Sequence, residues 1–260
     1  MIDLHCHVLP GIDDGPATIE GSLQLARAAS AAGTQTLVAT PHVSAHYAND
    51  AATICRLVEE LNARLRSEQI EIEVRPGAEI ALTRAIDMTS QQLAELGLGG
   101  PGGWLLIEPP FTPAADNLDV IVLDIARGHR IVVAHPERCP AFHRDRAMLE
   151  SLVSAGALVS ITAGSLVGRF GQTVRRFALE LVRDGLVHNV ASDAHDHLMR
   201  TPTITAELRE AHLQGLADWL TVQVPKAILD GGEIPRAPAD VLAELRLGAG
   251  RHRWRRRPRG

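Results

Sequence analysis

The sequence predicts one α/β domain of mostly parallel strands, arranged as a sheet or barrel, and three observations predict it. Seven short apolar runs each end on a His, Asp, Glu or small polar residue. Segments with a helical repeat separate these runs, which gives strand-helix alternation. At 260 residues, 45% of them hydrophobic, the chain is long enough to bury one substantial core.

The first strand, Ile2 to Val8, delivers His5-Cys6-His7 and is followed by Asp13-Asp14. A helix is predicted over Ile19 to Ala32, where Leu23, Ala26 and the Ala29-Ser30 region recur at three-to-four spacing before Gly33 stops it. Thr36 to Ala39 leads through Thr40-Pro41 to His42. Ala51 to Arg66 repeats the helical pattern through Ile54, Leu57, Val58, Leu61 and Leu65, and the run from Ile72 ends on Glu79. Gly97 to Gly103 precedes the Trp104 strand; no helix start follows it, so it reads as a turn-forming connector and not a phosphate cradle. Trp104 to Ile107 ends on Glu108, and Ile131 to Ala134 ends on His135-Pro136-Glu137-Arg138. Leu158 to Ile161 is followed by Thr162-Ala163-Gly164-Ser165, which either lines the site or forms a tight structural loop. Val187 to Ala191 ends on Ser192-Asp193-Ala194-His195. Further helices are predicted over Leu118 to Arg127, Ala147 to Ala155, Val174 to Arg183 and Thr203 to Leu213. The domain is predicted to span 1–250, with 251–260 an arginine-rich, disordered tail.

The formal charge of -5 hides an asymmetry, because six arginines after residue 250 leave the body near -11. An acidic body argues against a general nucleic-acid binder, so no specific nucleic-acid partner is expected. The tail suits a weak contact with an anionic membrane face or with an acidic protein segment. No basic stretch precedes the first strand and no apolar run is long enough to span a bilayer, which predicts a soluble, cytoplasmic protein. Cys6, Cys55 and Cys139 match no zinc or disulfide spacing and are expected to stay reduced. Strand alternation points Cys6 away from both neighbouring histidines, as a packing thiol.

Residues two apart in a strand share a face, so His5 and His7 are placed to grip one metal ion. Glu79, His135 and Asp193 each end a strand and converge on that ion or a neighbour. Asp14, His42, Glu108 and His195 add more ligands than one ion can use, which implies two or three ions. Carboxylate and imidazole without thiolate suit Mn, Fe or Zn in an open catalytic site better than a closed structural site. Such clusters activate water for hydrolysis and neutralise phosphoryl charge. Arg138, three residues past His135, and Arg200, five past His195, are placed to rim the cluster, and a guanidinium matches phosphate in bidentate geometry. Glu137 is left outside the site. The remaining histidines, among them His46, His129, His143, His188, His197 and His212, read as ordinary surface or core residues.

Taken together, these segments resemble the PHP superfamily, and within it the bacterial CpsB/CapC tyrosine-protein phosphatases of capsule and exopolysaccharide synthesis. The segments are His5-Cys6-His7, Gly11-Ile12-Asp13-Asp14-Gly15, Ala39-Thr40-Pro41-His42, Pro76-Gly77-Ala78-Glu79, Ile107-Glu108-Pro109-Pro110-Phe111, Ala134-His135-Pro136-Glu137-Arg138 and Ala191-Ser192-Asp193-Ala194-His195. The resemblance runs in order from Met1 to about Pro238. It implies a distorted (β/α)7 TIM-like barrel with three divalent ions, usually manganese. In that likeness His5, His7, Glu79 and Asp193 hold the first ion. Glu79, Glu108 and His135 hold the second, Asp14, His42 and His195 the third, and Glu79 bridges. Arg138 and Arg200 match positions that bind phosphate.

The activity expected is metal-dependent hydrolysis of phosphotyrosine on a tyrosine kinase that controls polysaccharide export, with Arg138, Arg200 and Glu108 as catalytic candidates. A phenolate leaving group, with a pKa near ~10, needs little help from a general acid. The alternatives are a PHP phosphatase of a small phosphomonoester such as histidinol phosphate, a TatD-like nuclease, and a non-catalytic kinase-binding regulator. A binuclear amidohydrolase is excluded by its need for a bridging lysine on a central strand, because the only lysine here is Lys226.

Overall fold

The computed structural model describes residues 1–112 and 117–253, with side chains described to residue 247. Its strands are β1 (Ile2–Cys6), β2 (Thr36–Ala39), β3 (His42–Val43), β4 (Glu73–Pro76), β5 (Glu79–Ala81), β6 (Leu105–Glu108), β7 (Ile131–Ala134), β8 (Leu158–Thr162) and β9 (Asn189–Ala191). They pair in parallel as two sheets, β1-β2-β4 and β3-β5-β6-β7-β8-β9. The strands β7, β8 and β9 are buried along their whole length, as a parallel sheet covered on both faces requires.

The predicted run from Thr36 to His42 forms two strands because Pro41 has no N–H to give to a ladder. Its carbonyl accepts from Glu79 N at 3.1 Å, and Thr40 N donates to Cys6 O at 3.0 Å. The pair Gly77-Ala78 separates β4 from β5. A Cβ at Gly77 would stand 2.8 Å from Val38 Cγ1, so the close approach there requires glycine. On the other side of β1 the backbone reaches the end of β9: Asp193 N donates to His5 O at 2.9 Å, and His7 N to Ala194 O at 2.8 Å.

Five helices fall where periodicity places them: Ile19–Ala31, Ala51–Ser67, Leu118–Ala126, Arg146–Ser154 and Gln172–Asp184. In Ala51–Ser67, Asp50 caps the start by accepting from Thr53 N, and the buried face is Ile54, Leu57, Val58, Leu61 and Leu65. The predicted helix Thr203 to Leu213 is shorter, Thr205–Glu210, because the backbone turns left-handed at His212 (φ 59°) and tightens into the 3-10 turn Gln214–Leu216. Ala163–Leu166 is a helical turn where a loop was open as a reading. Helices at Leu82–Ala85, Ser90–Glu95, Pro140–Arg144 and Val224–Asp230 had no sequence prediction. The final helix, Ala239–Arg253, runs across residue 250, and the rest of the arginine-rich tail, 254–260, lies outside the described residues.

His188, just before β9, accepts a hydrogen bond from Val159 N on Nδ1 at 3.2 Å. Burial lowers its pKa to about 4 from an ordinary 6.5. The unfolded chain therefore takes up a proton between these values that the folded imidazole refuses, and stability falls as pH drops from 6.5 to 4. We expect His188→Gln to remove up to ~3 kcal/mol of that acid sensitivity. Denaturant unfolding of both proteins at several pH values measures it, and parallel pH profiles would contradict the assignment.

Candidate metal centre

The ends of β1, β3, β5, β6, β7 and β9 bring their polar side chains to one face. His5 and His7 point the same way, with their Nε2 atoms 3.2 Å apart. Asp193 Oδ1 faces both, at 3.4 and 3.5 Å. Glu79 stands at the middle of the cluster, fully buried. Its carboxylate lies 3.3 Å from His5 and from His7, 3.0 Å from His42 Nδ1 and 2.7 Å from His135 Nε2. Burial acts to raise the Glu79 pKa, but the charge of His5 and hydrogen bonds from His135, His42 and His5 hold it well below the usual range.

Glu108 lies nearer the opening, 3.9 Å from His42 and 3.8 Å from His135. Burial and the neighbouring Glu79 charge raise its pKa to about 7. Asp14 sits on the loop after β1, 3.2 Å from His195 Nε2 and 3.5 Å from His42 Nε2. The His195 ring stacks on His7 with centroids 3.8 Å apart. Two of these residues, His135 (φ 30°) and Asp193 (φ 52°), have left-handed backbones, a strained conformation held by the bonds His135 N to Ser160 O and Asp193 N to His5 O.

Grouped by proximity of donor atoms, the sets are His7, Asp14, His42 and His195; His5, His7 and Asp193; His5, Glu79 and His135; and His42, Glu79 and Glu108. These are the nine ligand candidates of the sequence, with His5, His7, His42 and Glu79 each in two sets. The donor chemistry fits divalent ions. Glu79 Oε2 and His195 Nε2 are buried with charged neighbours at ion-pair distance but no well-directed hydrogen bond. Two imidazole nitrogens at 3.2 Å, walled by carboxylates, also make poor mutual hydrogen-bond partners and a good chelate. The Cys6 thiol points away, to Ala194 O.

Arg138 and Arg200 meet on one atom: Arg138 Nη1 donates to Asp193 Oδ2 at 2.6 Å and Arg200 Nη2 to the same oxygen at 2.8 Å. The guanidinium of Arg138 lies between two rings, 5.1 Å from the centroid of Phe111 and 4.5 Å from that of Phe170. Glu137 is fully buried behind the site. Its Oε1 accepts from Thr162 N at 2.9 Å and Ser165 Oγ at 2.7 Å, which ties the turn Pro136–Arg138 to the end of β8. Burial raises its pKa to about 7.

Two carboxylates escaped the sequence reading as functional groups. Asp3, buried under β1, accepts from Ser192 Oγ at 2.5 Å and from Ser192 N and His5 N. Asp13 accepts from His7 Nδ1 at 2.7 Å, Gly15 N at 2.9 Å and His42 N at 3.2 Å. A side chain at Gly15 would collide with the His7 carbonyl, so the loop that presents Asp13 needs glycine there. A carboxylate on the far nitrogen of a ligating histidine fixes its tautomer and orientation. We expect Asp13→Ala to weaken divalent metal binding by about 10- to 100-fold. Competition against a chelating dye reads this directly, and an affinity equal to wild type would reject the role.

Comparison with known proteins gives three likenesses. A family model described as capsular polysaccharide synthesis, CpsB/CapC, matches residues 1–229. The chain is 39% identical over 200 residues to the tyrosine-protein phosphatase YwqE of Bacillus subtilis, across 75% of this chain and 78% of the relative. It is 25% identical over 210 residues to the tyrosine-protein phosphatase CpsB of Streptococcus agalactiae, across 78% and 86%. The crystal structures of YwqE from B. subtilis and CpsB from Streptococcus pneumoniae, described as metal-dependent tyrosine phosphatases, include a chain that superposes with a TM-score of 0.81 at 35% identity. That match covers 92% of this chain and 98% of the other. An organophosphorus hydrolase from Deinococcus radiodurans, 16% identical with a TM-score of 0.50 over 88% and 91%, shares the fold alone.

Proposed function

The chain belongs to the CpsB/CapC family, and from that premise we propose that its substrate is a phosphotyrosine-bearing tyrosine kinase of polysaccharide export. The chain is a metal-dependent tyrosine-protein phosphatase. The observation that carries the phosphoryl assignment is the convergence of Arg138 and Arg200 on a single anionic oxygen beside the cluster. Two guanidinium groups that share one carboxylate oxygen are close enough together to share a phosphoryl group bound beside Asp193.

We assign three divalent ions, most readily manganese with iron or zinc as alternatives, to His5, His7, Glu79 and Asp193; to Glu79, Glu108 and His135; and to Asp14, His42 and His195. Such ions supply activated water and neutralise phosphoryl charge. The chain's own part is positional. Glu79 holds four histidines in one array, Asp13 orients His7 and His42, and Arg138 and Arg200 fix the phosphoryl oxygens. With β2 and β3 taken as one kinked strand, and β4 and β5 as another, the framework is a distorted (β/α)7 barrel whose ligands lie at strand ends. Among the described residues no helix is long and apolar enough to cross a membrane. The cytoplasm is the proposed compartment, consistent with three cysteines left as thiols. The tail's contact with an anionic membrane face belongs to the same proposal.

The test is turnover of a phosphotyrosine peptide, histidinol phosphate and single-stranded DNA by one manganese-loaded sample. Preference for the peptide is the expected result. Faster turnover of histidinol phosphate would move the substrate to small metabolites, and peptide binding without phosphate release would leave a regulator.

A further inference from the structure

The sequence holds only four Phe, three Trp and one Tyr. Trp104, Phe142, Phe177 and Trp219 are buried in the core, and Trp254 lies outside the described residues. The three that remain, Tyr47, Phe111 and Phe170, all stand at the mouth of the metal centre. Tyr47 stacks on His42 with an interplanar angle of 10° and centroids 5.6 Å apart. Phe111 stacks on His135 at 15° and 5.5 Å. These two histidines reach Glu79 from either side, since β5 and β6 lie between β3 and β7.

Phe170 already covers the Arg138 guanidinium at 4.5 Å, so holding that arginine does not by itself account for Phe111, which is 45% exposed. Leu198 and Met199, on the loop that carries Arg200, are also exposed, at 73% and 82%. A chain this poor in aromatics has spent every described ring outside its core on one opening.

We propose that Phe111 and Tyr47 form an aryl-recognising rim that takes the phenyl ring of phosphotyrosine, with Phe111 as the principal contact. The proposal rests on the phosphatase reading above and adds the determinant of aryl over alkyl specificity. In phosphotyrosine one oxygen joins phosphorus to the ring. A phosphoryl group held by Arg138 therefore puts the ring beside that guanidinium, which Phe111 faces at 5.1 Å, with Tyr47 stacked on the cluster residue His42. A phosphoserine places only a methylene and peptide backbone there. Offset or edge contacts between aromatic rings add attraction beyond the area they bury.

The test uses two non-hydrolysable probes, phenylphosphonate and methylphosphonate, titrated calorimetrically into manganese-loaded wild type, Phe111→Leu, Phe111→Tyr and Tyr47→Leu. Wild type should favour phenylphosphonate. Phe111→Leu should cut that preference by about fivefold to tenfold, Tyr47→Leu should cut it less, and Phe111→Tyr should restore it. If Phe111 merely positions Arg138, both probes weaken in parallel and the preference is unchanged, which overturns the proposal. Hydrolysis of phosphotyrosine peptide by the same wild-type sample separates the two readings. No hydrolysis defeats the phosphatase reading, whereas hydrolysis with an unchanged preference in Phe111→Leu defeats the aryl rim alone.

Discussion

Replacement of Glu79 by alanine is expected to abolish nearly all turnover of phosphotyrosine and to remove at least one equivalent of bound metal. The carboxylate lies within 3.3 Å of His5 in β1, His7 just after it, His42 at the start of β3 and His135 just after β7. No other carboxylate in the cluster stands within 3.3 Å of four histidines. Its loss takes away a shared ligand and the negative charge that faces four imidazoles at once, in a site too buried for solvent to replace it. Glu79→Gln keeps the volume but not the charge, and should fail in the same direction. Elemental analysis of the purified variants decides the matter, with circular dichroism to show that they fold. A full metal complement in Glu79→Ala would reject the bridging assignment.

The second large effect is expected at Arg138, where alanine or lysine should lower turnover on a phosphotyrosine peptide by ~100-fold or more while metal content stays intact. Lysine retains the charge but lacks the planar fork that contacts the Phe111 and Phe170 rings at 5.1 and 4.5 Å. Because Arg138 and Arg200 share Asp193 Oδ2, their effects should not add, and a double-mutant cycle is expected to show coupling. Metal-replete Arg138→Ala with wild-type kinetics would take Arg138 out of the site and leave Arg200 as the remaining candidate.

What the sequence made legible was whatever depends on short-range period. His5 and His7 share a face because strands alternate, and the helix Ala51–Ser67 buries the five residues that its spacing singles out. The ends of the apolar runs located Glu108, His135 and Asp193 for the same reason, whereas Glu79 opens β5 instead of ending the strand before it, because Gly77-Ala78 breaks the run. What stayed hidden depends on closure across the chain. The role of Asp13 turns on the loop at Gly15, which sends its carboxylate to the back of His7 while Asp14, named from the sequence, faces His195 and His42. Ser192 and Asp3 are 189 residues apart, and no local pattern relates them. Nothing local to Glu137 announces its burial, yet the short helix Ala163–Leu166 folds over it and gives it Ser165. The aromatic sandwich around Arg138 joins residues from three loops, and nothing in the spacing of Phe111 and Phe170 announces it.

The hydrogen bonds between β1 and the segment after β9 also govern the order in which this protein comes into being. His5 and His7 leave the ribosome well before Asp193 and His195, which are made only after the other strands. The bond from Asp193 N to His5 O and that from His7 N to Ala194 O close a loop of nearly the full domain. Closure over such a separation raises contact order and slows folding, because the chain entropy must be given up before the contacts form. A nascent chain thus carries half of a chelate for much of its synthesis, and the complete set of donors exists only once the last strand has docked.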